Sequence, residues 1–295
     1  MPGTFAVIRT ANNPFTLVKF LNGNFFQIPA LPDTSALLRH SIADIKRMFD
    51  EDLQSEKVLV GEQIAPIAAD SEVWGAGVTY LRSKDARKEE SGVPDVYQRV
   101  YEADRPEIFF KAIGNKVSGH LQTIGIRADA KTSVPEPEVA IVINKFREII
   151  GLTICNDVTS RNIEGENPLY LPQAKMYFGS TALGPVIKPI WQIKNLASLS
   201  ISAKIMRGAD LVWQAQTSLA SLNRKFDDLV DYLFRCQSFP NGVILSTGTG
   251  IVPPMDITLM ANDVVTIEVE EIGTLENQVV VTPIDINEQL NNRAK

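Results

Sequence analysis

The sequence contains little of what disulfide-stabilised, zinc-binding or membrane-spanning proteins need. Its 295 residues include two cysteines, Cys155 and Cys236, and two histidines. Two distant cysteines make neither a disulfide framework nor a CxxC metal site. No apolar run approaches the roughly 18 residues of a membrane helix. The N-terminal residues also lack the basic segment and apolar run of a signal peptide. We therefore expect a cytoplasmic protein with no membrane partner.

An excess of basic residues is also lacking. Lysine and arginine total 29 against 35 acidic residues, a net charge of −6, whereas nucleic-acid-binding proteins usually carry a basic patch. The glycine-rich segments make no nucleotide-binding loop. Gly75-Ala76-Gly77 is followed by Tyr80 where a dinucleotide loop needs glycine, and Thr247–Gly250 lacks the Gly-Lys-Ser/Thr of a P-loop. We expect no nucleic-acid partner.

The pattern of apolar residues is mostly that of β-strands. Strands are predicted at 107–112, 136–143, 149–157, 184–190, 199–206, 210–216 and 264–270. Helices are predicted at 95–103 and 221–236, where apolar residues recur at helical spacing. Strands outnumber helices and do not alternate with them, which argues against a doubly wound or (β/α)₈ fold. The sequence thus predicts an α+β protein that is mostly β, with a mixed sheet.

The N-terminal residues predict a smaller unit. Residues 5–29 predict short strands around turns, and residues 35–53 predict a helix that Thr34 or Ser35 caps. Pro66 lies in the segment that follows. We expect a small α+β domain over residues 1–67 and a larger domain over residues 68–295.

Two glutamates alternate with prolines at the start of an apolar run, Pro135-Glu136-Pro137-Glu138-Val139. Because side chains alternate faces along a strand, Glu136 and Glu138 share a face. A hairpin centred near residues 146–147 pairs residues whose numbers sum to about 293. Glu136 then faces Asp157, and Glu138 faces Cys155. Opposed residues share a face, so three carboxylates converge.

Three carboxylates this close repel one another or raise a pKa, and a divalent cation removes that penalty. Oxygen ligands favour Mg²⁺, with Mn²⁺ or Ca²⁺ as alternatives, over zinc. The spacing alone leaves a second interpretation open. In it, the glutamates form a solvated acidic edge of the sheet, and Asp157 caps a turn. A slip of one residue in the register would also move Asp157 to the opposite face.

Other polar residues come near this hairpin in the predicted order. Glu107 and Lys111 share one strand face, His120 follows a turn, and Lys175 precedes a later strand. Each has a simpler interpretation: an ion pair between Glu107 and Lys111, a hydrogen-bonded loop residue for His120, and a surface charge for Lys175. The segment 247–250 offers hydroxyl and backbone N–H donors to a carboxylate.

The order of these motifs resembles the fumarylacetoacetate hydrolase superfamily. The resemblance covers about residues 72–270 and rests on Pro135–Val139, Ile154–Arg161, Lys175 with Leu183-Gly184-Pro185, and Thr247-Gly248-Thr249. It implies a roll- or barrel-like β-rich catalytic fold behind the N-terminal domain, and a homodimer or homotetramer. It also implies Glu136, Glu138 and Asp157 as Mg²⁺ ligands, and Lys175, Glu107 and Thr249 as pocket residues.

Within this superfamily, the runs 105–112, 135–142 and 166–175 are most similar to dehydratases of 2-keto-3-deoxy sugar acids. The resemblance implies a hydro-lyase that converts a substrate such as 2-keto-3-deoxy-D-arabinonate to 2,5-dioxopentanoate through a metal-stabilised enolate. Lys175 and Glu107 are the acid and base candidates, and which residue plays which role stays open. The expected substrate-binding residues are Tyr80, Lys111, His120 and Thr249.

The sequence departs from the superfamily pattern at one place. Its hydrolases and decarboxylases usually carry Gly-x-Asn-Tyr-x-x-His-Ala-x-Glu, whose His and Glu activate a water molecule. In the matching run, residues 77–86, Ser83 replaces the histidine and Ala86 the glutamate. Dehydration needs no activated water, so the departure favours a dehydratase. The charged run 82–91 predicts a lid that closes over substrate.

Two alternatives stay open. One is a Mg²⁺-dependent hydrolase of acylpyruvate-type C–C bonds, or a keto-acid decarboxylase, in which His120 or Glu107 replaces the missing pair. The other is a metal-dependent binding protein without turnover. Stabilisation by ligand that needs Mg²⁺, with no product, distinguishes the binding protein from an enzyme.

Overall fold

The computed structural model describes residues 3–28, 31–50, 58–82, 85 and 94–285. Its helices are α1 (Thr34–Leu38), α2 (Ile42–Asp50), α3 (Pro94–Glu102), α4 (Arg161–Glu166), α5 (Leu171–Lys175) and α6 (Phe226–Leu233). Single 3₁₀ turns occur at Gly114–Lys116, Pro168–Tyr170, Ile190–Gln192, Leu196–Ser198 and Leu219–Ser221. Within these ranges, no helix has the length and apolar character needed to cross a membrane.

Strands make up most of the regular structure. They are β1 (Thr4–Arg9), β2 (Thr16–Leu21), β3 (Asn24–Gln27), β4 (Val58–Leu59), β5 (Glu62–Ile64), β6 (Glu72–Gly77), β7 (Glu107–Ile113), β8 (Thr123–Arg127), β9 (Pro137–Ile143), β10 (Ile149–Asp157), β11 (Thr181–Pro189), β12 (Ser200–Arg207), β13 (Asp210–Ser218), β14 (Val243–Thr249), β15 (Val264–Val269) and β16 (Gly273–Thr282). The prediction of an α+β fold that is mostly β is confirmed.

The strands form two mixed sheets. The larger has the order β4-β3-β2-β1-β11-β10-β9-β14-β6-β7, with β5 also paired to β1, and the smaller has the order β13-β12-β15-β16-β8. The pairs β14–β6 and β16–β8 are parallel, and the other strand pairs are antiparallel. Neither sheet closes into a barrel in the part of the chain that the structure describes.

The centre of the larger sheet is buried on both faces. Val139, Ile141 and Ile143 of β9 pack in the core between the two sheets. Ala140 and Val142, on the opposite face, pack in a second core with the N-terminal elements. This double burial explains why β9 is a continuous apolar run rather than an alternating one. Glu138 has the same strand parity as Ala140 and Val142, so it lies on the second face.

The N-terminal strands are confirmed, but they do not form a separate sheet. Strand β1 pairs with β11, where Phe5 stands opposite Ile187. Residues from both sides of the proposed boundary share the second core. The division at 67/68 stays a prediction, across which both the sheet and the core continue.

The prediction of one helix over 35–53 is wrong. The segment forms α1 and α2, and residues 51–53 lie outside the described ranges. The N-cap of α1 is Asp33, whose side chain accepts from the Ala36 N–H at 2.7 Å. Helix α2 follows Ser41, whose hydroxyl accepts from the Asp44 N–H at 3.2 Å. The break between the helices therefore has its own capping residue.

Candidate active site

The three predicted carboxylates converge at one end of the β9–β10 hairpin. Glu138 stands opposite Cys155, and Pro137 opposite Asn156. The Asp157 N–H donates to the Glu136 carbonyl at 3.1 Å. One carboxylate oxygen from each of Glu136, Glu138 and Asp157 lies within 4.8 Å of the others. The predicted register is thus confirmed, and all three carboxylates are buried.

The hairpin turn fixes this register. The Asn144 side-chain oxygen accepts from the N–H groups of Phe146 at 3.0 Å and Glu148 at 2.9 Å. Arg147 adopts the left-handed conformation, with φ of 68°. The strand pairing has one register shift, between Ile149 and Gly151 near the turn, and it is regular from there to the carboxylates. Short-range hydrogen bonds therefore determine which residues meet at the far end of the hairpin.

Glu138 shows that the buried negative charge is incompletely compensated. Its Oε2 accepts from the Gly248 N–H at 2.8 Å and from the Ser246 hydroxyl. Burial, with the nearby charges of Asp157 and Glu136, nevertheless raises the pKa of Glu138 to about 8. A cation bound to these oxygens would relieve that penalty. A set of buried carboxylate oxygens fits a hard divalent ion such as Mg²⁺.

Lys175 contacts two of the three carboxylates. Its Nζ, at the end of α5, donates to Glu136 Oε2 at 2.8 Å, Asp157 Oδ2 at 3.0 Å and Thr159 Oγ1 at 2.7 Å. The side chain is buried, and the ring of Phe109 lies 5.9 Å from the ammonium. The simpler interpretation of Lys175 as a surface charge is wrong, because direct ion pairs hold its ammonium against two of the carboxylates.

Lys111 contacts Asp157, one of the three carboxylates. It is the extra residue where the β6–β7 register shifts, between Ala112 opposite Val73 and Phe110 opposite Trp74. Its buried Nζ lies 2.8 Å from Asp157 Oδ1 and donates to the backbone carbonyls of Lys175 and Ser180. The structure therefore pairs Lys111 with Asp157, not with Glu107.

Glu107 faces the carboxylates across the same cavity. It is half-buried at the first position of β7 and lines the cavity together with Lys175 and Thr249. Gly77 of β6 stands directly opposite, and a Cβ there would overlap the Glu107 carboxylate. Gly75 opens the same kind of space for the ring of Phe109. Two glycines of β6 thus create the room that Glu107 and Phe109 occupy.

The loop at the end of β14 completes the wall of the cavity. Gly248 has a φ of +85°, which aims its N–H at Glu138. The Thr249 hydroxyl lies 2.9 Å from the Pro137 carbonyl, so it ties the loop to β9. Tyr80 packs against Gly250 beneath the loop and is almost fully buried. Burial and the charge of Glu138 raise the pKa of Tyr80 above its ordinary value.

His120 lies in another part of the fold. Its Nδ1 accepts from the Glu276 N–H of β16 at 3.1 Å. Burial lowers the pKa of this imidazole, and the charge of Glu276 opposes that effect. His120 is not among the residues that line the cavity beside the carboxylates. The hydrogen-bonded loop residue was the better of the two interpretations of His120.

Sequence analysis missed one acidic residue of this cavity. Glu164 of α4 is buried and lines the cavity with Leu171. A signal was present, because Arg161 and Glu164 are three residues apart on one face of the helix that follows Asp157. Ser83, Ala86 and most of the predicted lid, residues 83–84 and 86–91, lie outside the described residues.

Comparison with known proteins agrees with this geometry. The family described as Fumarylacetoacetate (FAA) hydrolase C-terminal matches residues 72–280. A 2-dehydro-3-deoxy-D-arabinonate dehydratase of Saccharolobus solfataricus is 42% identical over 217 residues, which are 72% of this chain and 71% of the relative. A probable 2-keto-3-deoxyxylonate dehydratase of Haloferax volcanii is 41% identical over 230 residues, 78% of this chain and 79% of the relative.

A solved structure is similar over nearly the whole chain. It is a 2-keto-3-deoxy-D-arabinonate dehydratase complexed with magnesium and 2,5-dioxopentanoate. The TM-score is 0.80 at 32% identity, and the match covers 96% of this chain and 100% of that chain.

Proposed function

Because this chain belongs to the fumarylacetoacetate hydrolase family, we propose that it is a Mg²⁺-dependent dehydratase of a 2-keto-3-deoxy sugar acid. The substrate class includes 2-keto-3-deoxy-D-arabinonate, and the five-carbon product is 2,5-dioxopentanoate. The observation that carries the proposal is the buried cluster of Glu136, Glu138 and Asp157, two of which contact Lys175 Nζ, with Glu107 facing the same cavity. The relatives that are 41–42% identical to this chain are named as dehydratases of this substrate class.

Glu136, Glu138 and Asp157 are the residues that would hold the metal. When bound, Mg²⁺ stabilises the negative charge that develops on the keto oxygen of the substrate. Gly248 and Ser246 orient the Glu138 carboxylate through hydrogen bonds, and Lys111 orients Asp157. The ligand oxygens are thus fixed before any substrate arrives, which is the condition for effective electrostatic stabilisation.

The reaction removes one water and then shifts two protons. A proton leaves C3 of the substrate, the C4 hydroxyl departs as water, and a C3–C4 double bond forms. Transfer of a proton from C5 to C3 then gives an enol, and transfer of the enol hydroxyl proton to C4 gives the C5 aldehyde. Glu107 is our candidate for the base, because its carboxylate faces the cavity. Lys175 is our candidate for the acid, because its ammonium is held by three hydrogen bonds.

The test uses chelator-treated protein with and without Mg²⁺, followed by proton NMR. The panel contains 2-keto-3-deoxy pentonates and hexonates, an acylpyruvate and oxaloacetate. Mg²⁺-dependent loss of the C3 methylene signals with a new aldehyde signal is the expected result. Cleavage of the acylpyruvate to pyruvate, or release of CO₂ from oxaloacetate, without dehydration would refute the proposal in favour of the hydrolase or decarboxylase.

We also propose that the chain forms a homodimer or homotetramer in the cytoplasm. Both cysteines are free thiols, which suits a reducing compartment. Phe178, Val280 and Val281 are exposed apolar residues that line one groove, and such patches often mark interfaces. Light scattering on purified protein tests the oligomer, and a monomeric mass at micromolar concentration would refute it.

A further inference from the structure

A second cavity adjoins the one that holds the carboxylates. Its walls include Val96, Tyr97 and Val100 of α3, and we call it the side pocket. Glu107, Glu164 and Leu171 line both cavities. These three residues therefore lie at the junction. The carboxylate cluster lies on one side, and on the other is a mostly apolar pocket that Arg105 also lines.

The functional groups of a 2-keto acid determine the orientation of the substrate in these two cavities. On the proposed function, its carboxylate and keto oxygens lie at the carboxylate cluster with the metal. The carbons beyond C3 then extend towards the junction, because the side pocket adjoins the cavity there. The other described walls are formed by β6, β7, the β9–β10 hairpin, α5 and the end of β14. The distal end of the substrate thus meets Glu107 and Glu164.

Glu164 is held in place by its helix. The Glu164 N–H donates to the Ser160 carbonyl at 3.1 Å, and the Ser160 N–H donates to the Ala174 carbonyl at 3.0 Å. The Arg161 guanidinium donates to the carbonyls of Pro253 at 2.6 Å and Pro254 at 3.0 Å. Helix α4 is therefore fixed both to α5, which carries Lys175, and to the 253–254 loop. Glu164 is only 3% exposed.

We propose that Glu164 determines substrate specificity at the distal end. This inference rests on the proposed function and deepens it. A carboxylate accepts hydrogen bonds and donates none, so Glu164 receives a hydrogen bond from the distal hydroxyl of the substrate. With Glu107 it places two negative charges at the junction, which repel a substrate that ends in a second carboxylate. The site thus selects polyhydroxy 2-keto acids and rejects dicarboxylic ones.

Three unreactive probes of equal length test the distal end. They are 5-hydroxy-2-oxopentanoate, 2-oxopentanoate and 2-oxoglutarate, which end in a hydroxyl, a methyl and a carboxylate. None has a C4 hydroxyl to lose, so calorimetry in the presence of Mg²⁺ measures binding alone. We expect the wild-type protein to bind the hydroxyl probe at least about ten times more tightly than 2-oxoglutarate. A ten-fold difference in dissociation constant corresponds to ~1.4 kcal/mol of binding free energy. Equal affinity for these two probes would overturn the inference.

The matched variants are Glu164→Gln and Glu166→Gln. Both remove one negative charge from α4, but Glu166 is exposed. Glu164→Gln should reduce the preference for the hydroxyl probe to about three-fold or less, mainly by tightening 2-oxoglutarate binding. Glu166→Gln should leave the preference unchanged. An unaltered preference in Glu164→Gln, or an equal change in both variants, would contradict the inference.

A second variant keeps the inference testable if Glu164→Gln does not fold. Glu164→Asp keeps the charge but shortens the side chain, so it should still reject 2-oxoglutarate while it loses affinity for the hydroxyl probe. Loss of that rejection in Glu164→Asp would also count against the inference. Failure of the proposed function is distinguishable from failure of this inference. If the wild-type protein discriminates among the probes but dehydrates no sugar acid, the role of Glu164 in specificity stands and the protein is not a dehydratase.

Discussion

Gly77 of β6 stands directly opposite Glu107 of β7, and only the absence of a Cβ on Gly77 leaves room for the Glu107 carboxylate. Because the overlap involves the far end of a flexible side chain, a larger residue at position 77 displaces the carboxylate rather than the strand. This relationship links a glycine with no chemistry of its own to the proposed base.

We therefore expect Gly77→Ala to reduce turnover about ten-fold or more while the melting temperature stays near the wild-type value. Strand positions that tolerate alanine usually gain stability from this change, by about 0.4–1 kcal/mol. Steady-state kinetics and thermal unfolding provide the measurement. In a Glu107→Ala background the added methyl group should have no further effect on turnover. A fully active Gly77→Ala protein would show that the position of Glu107 is unimportant.

The carboxylate cluster predicts a variant that loses metal and keeps its fold. Glu136→Gln should weaken Mg²⁺ binding about ten-fold or more and remove nearly all turnover, because one anionic oxygen ligand becomes a neutral amide. Calorimetric titration with Mg²⁺ measures the affinity, and circular dichroism checks the fold. Asp210→Asn, an exposed carboxylate in the smaller sheet, is the control. If turnover survives with the same Mg²⁺ dependence, Glu136 is not a ligand.

Substitutions of the two buried lysines, Lys175 and Lys111, should have different effects. Lys175→Met should lower turnover about 100-fold or more, as expected for loss of an acid–base group. It should keep or strengthen Mg²⁺ binding, since a positive charge near two of the ligands disappears. Calorimetry and kinetics on the same preparation measure both effects. Much weaker Mg²⁺ binding in Lys175→Met would instead indicate that Lys175 only organises the ligands.

Lys111→Met should act mainly on stability. It removes the ammonium that now contacts Asp157 Oδ1 and two backbone carbonyls, and it leaves Lys175 as the remaining cation beside Asp157. Breaking a buried ion pair from one side costs about 3–5 kcal/mol, and the remaining ion pair with Lys175 places the expected loss at the lower end of this range. Urea unfolding of the metal-free protein measures the loss. A variant as stable as the wild type would contradict the supporting role assigned to Lys111.

Glu138 predicts how the metal-free protein responds to pH. Burial, then the charges of Asp157 and Glu136, raise its pKa to about 8. The folded state therefore binds this proton more tightly than the unfolded state, so stability falls as the pH rises from about 4.5 towards 8. Melting temperatures across that range should decrease for the wild type and decrease less for Glu138→Gln.

Saturating Mg²⁺ supplies the control for this pH dependence. The cation stabilises the ionised form of Glu138, so the fall in melting temperature between pH 6 and 8 should disappear in its presence. The same decrease with and without Mg²⁺ would contradict metal binding at Glu138.

The local part of the site was predictable because it lies within one hairpin. The two-residue period of strands and a turn closed by Asn144 place Glu136 beside Asp157. No information from distant residues is needed for that juxtaposition. The strands of that hairpin were predicted for the same reason.

Strands with mixed or glycine-rich patterns were missed. Strand β6 contains Gly75 and Gly77, and β14 ends in Ser-Thr-Gly-Thr. Strands β8 and β16 form a parallel pair between distant segments. In each case the strand is stabilised by its partner in the sheet rather than by local preference. Helix α6 is likewise shorter than the predicted 221–236.

The sequence alone determined the carboxylate hairpin, the dominance of strands and the resemblance that suggested the chemistry. The other polar residues that reach the cavity are brought there by the tertiary packing of elements outside that hairpin. Lys175 and Glu164 reach it because α4 and α5 fold back over the end of the hairpin, whereas His120 is held at β16. Periodicity relates residues that are neighbours on one element, whereas contacts between separate elements depend on how the whole sheet packs.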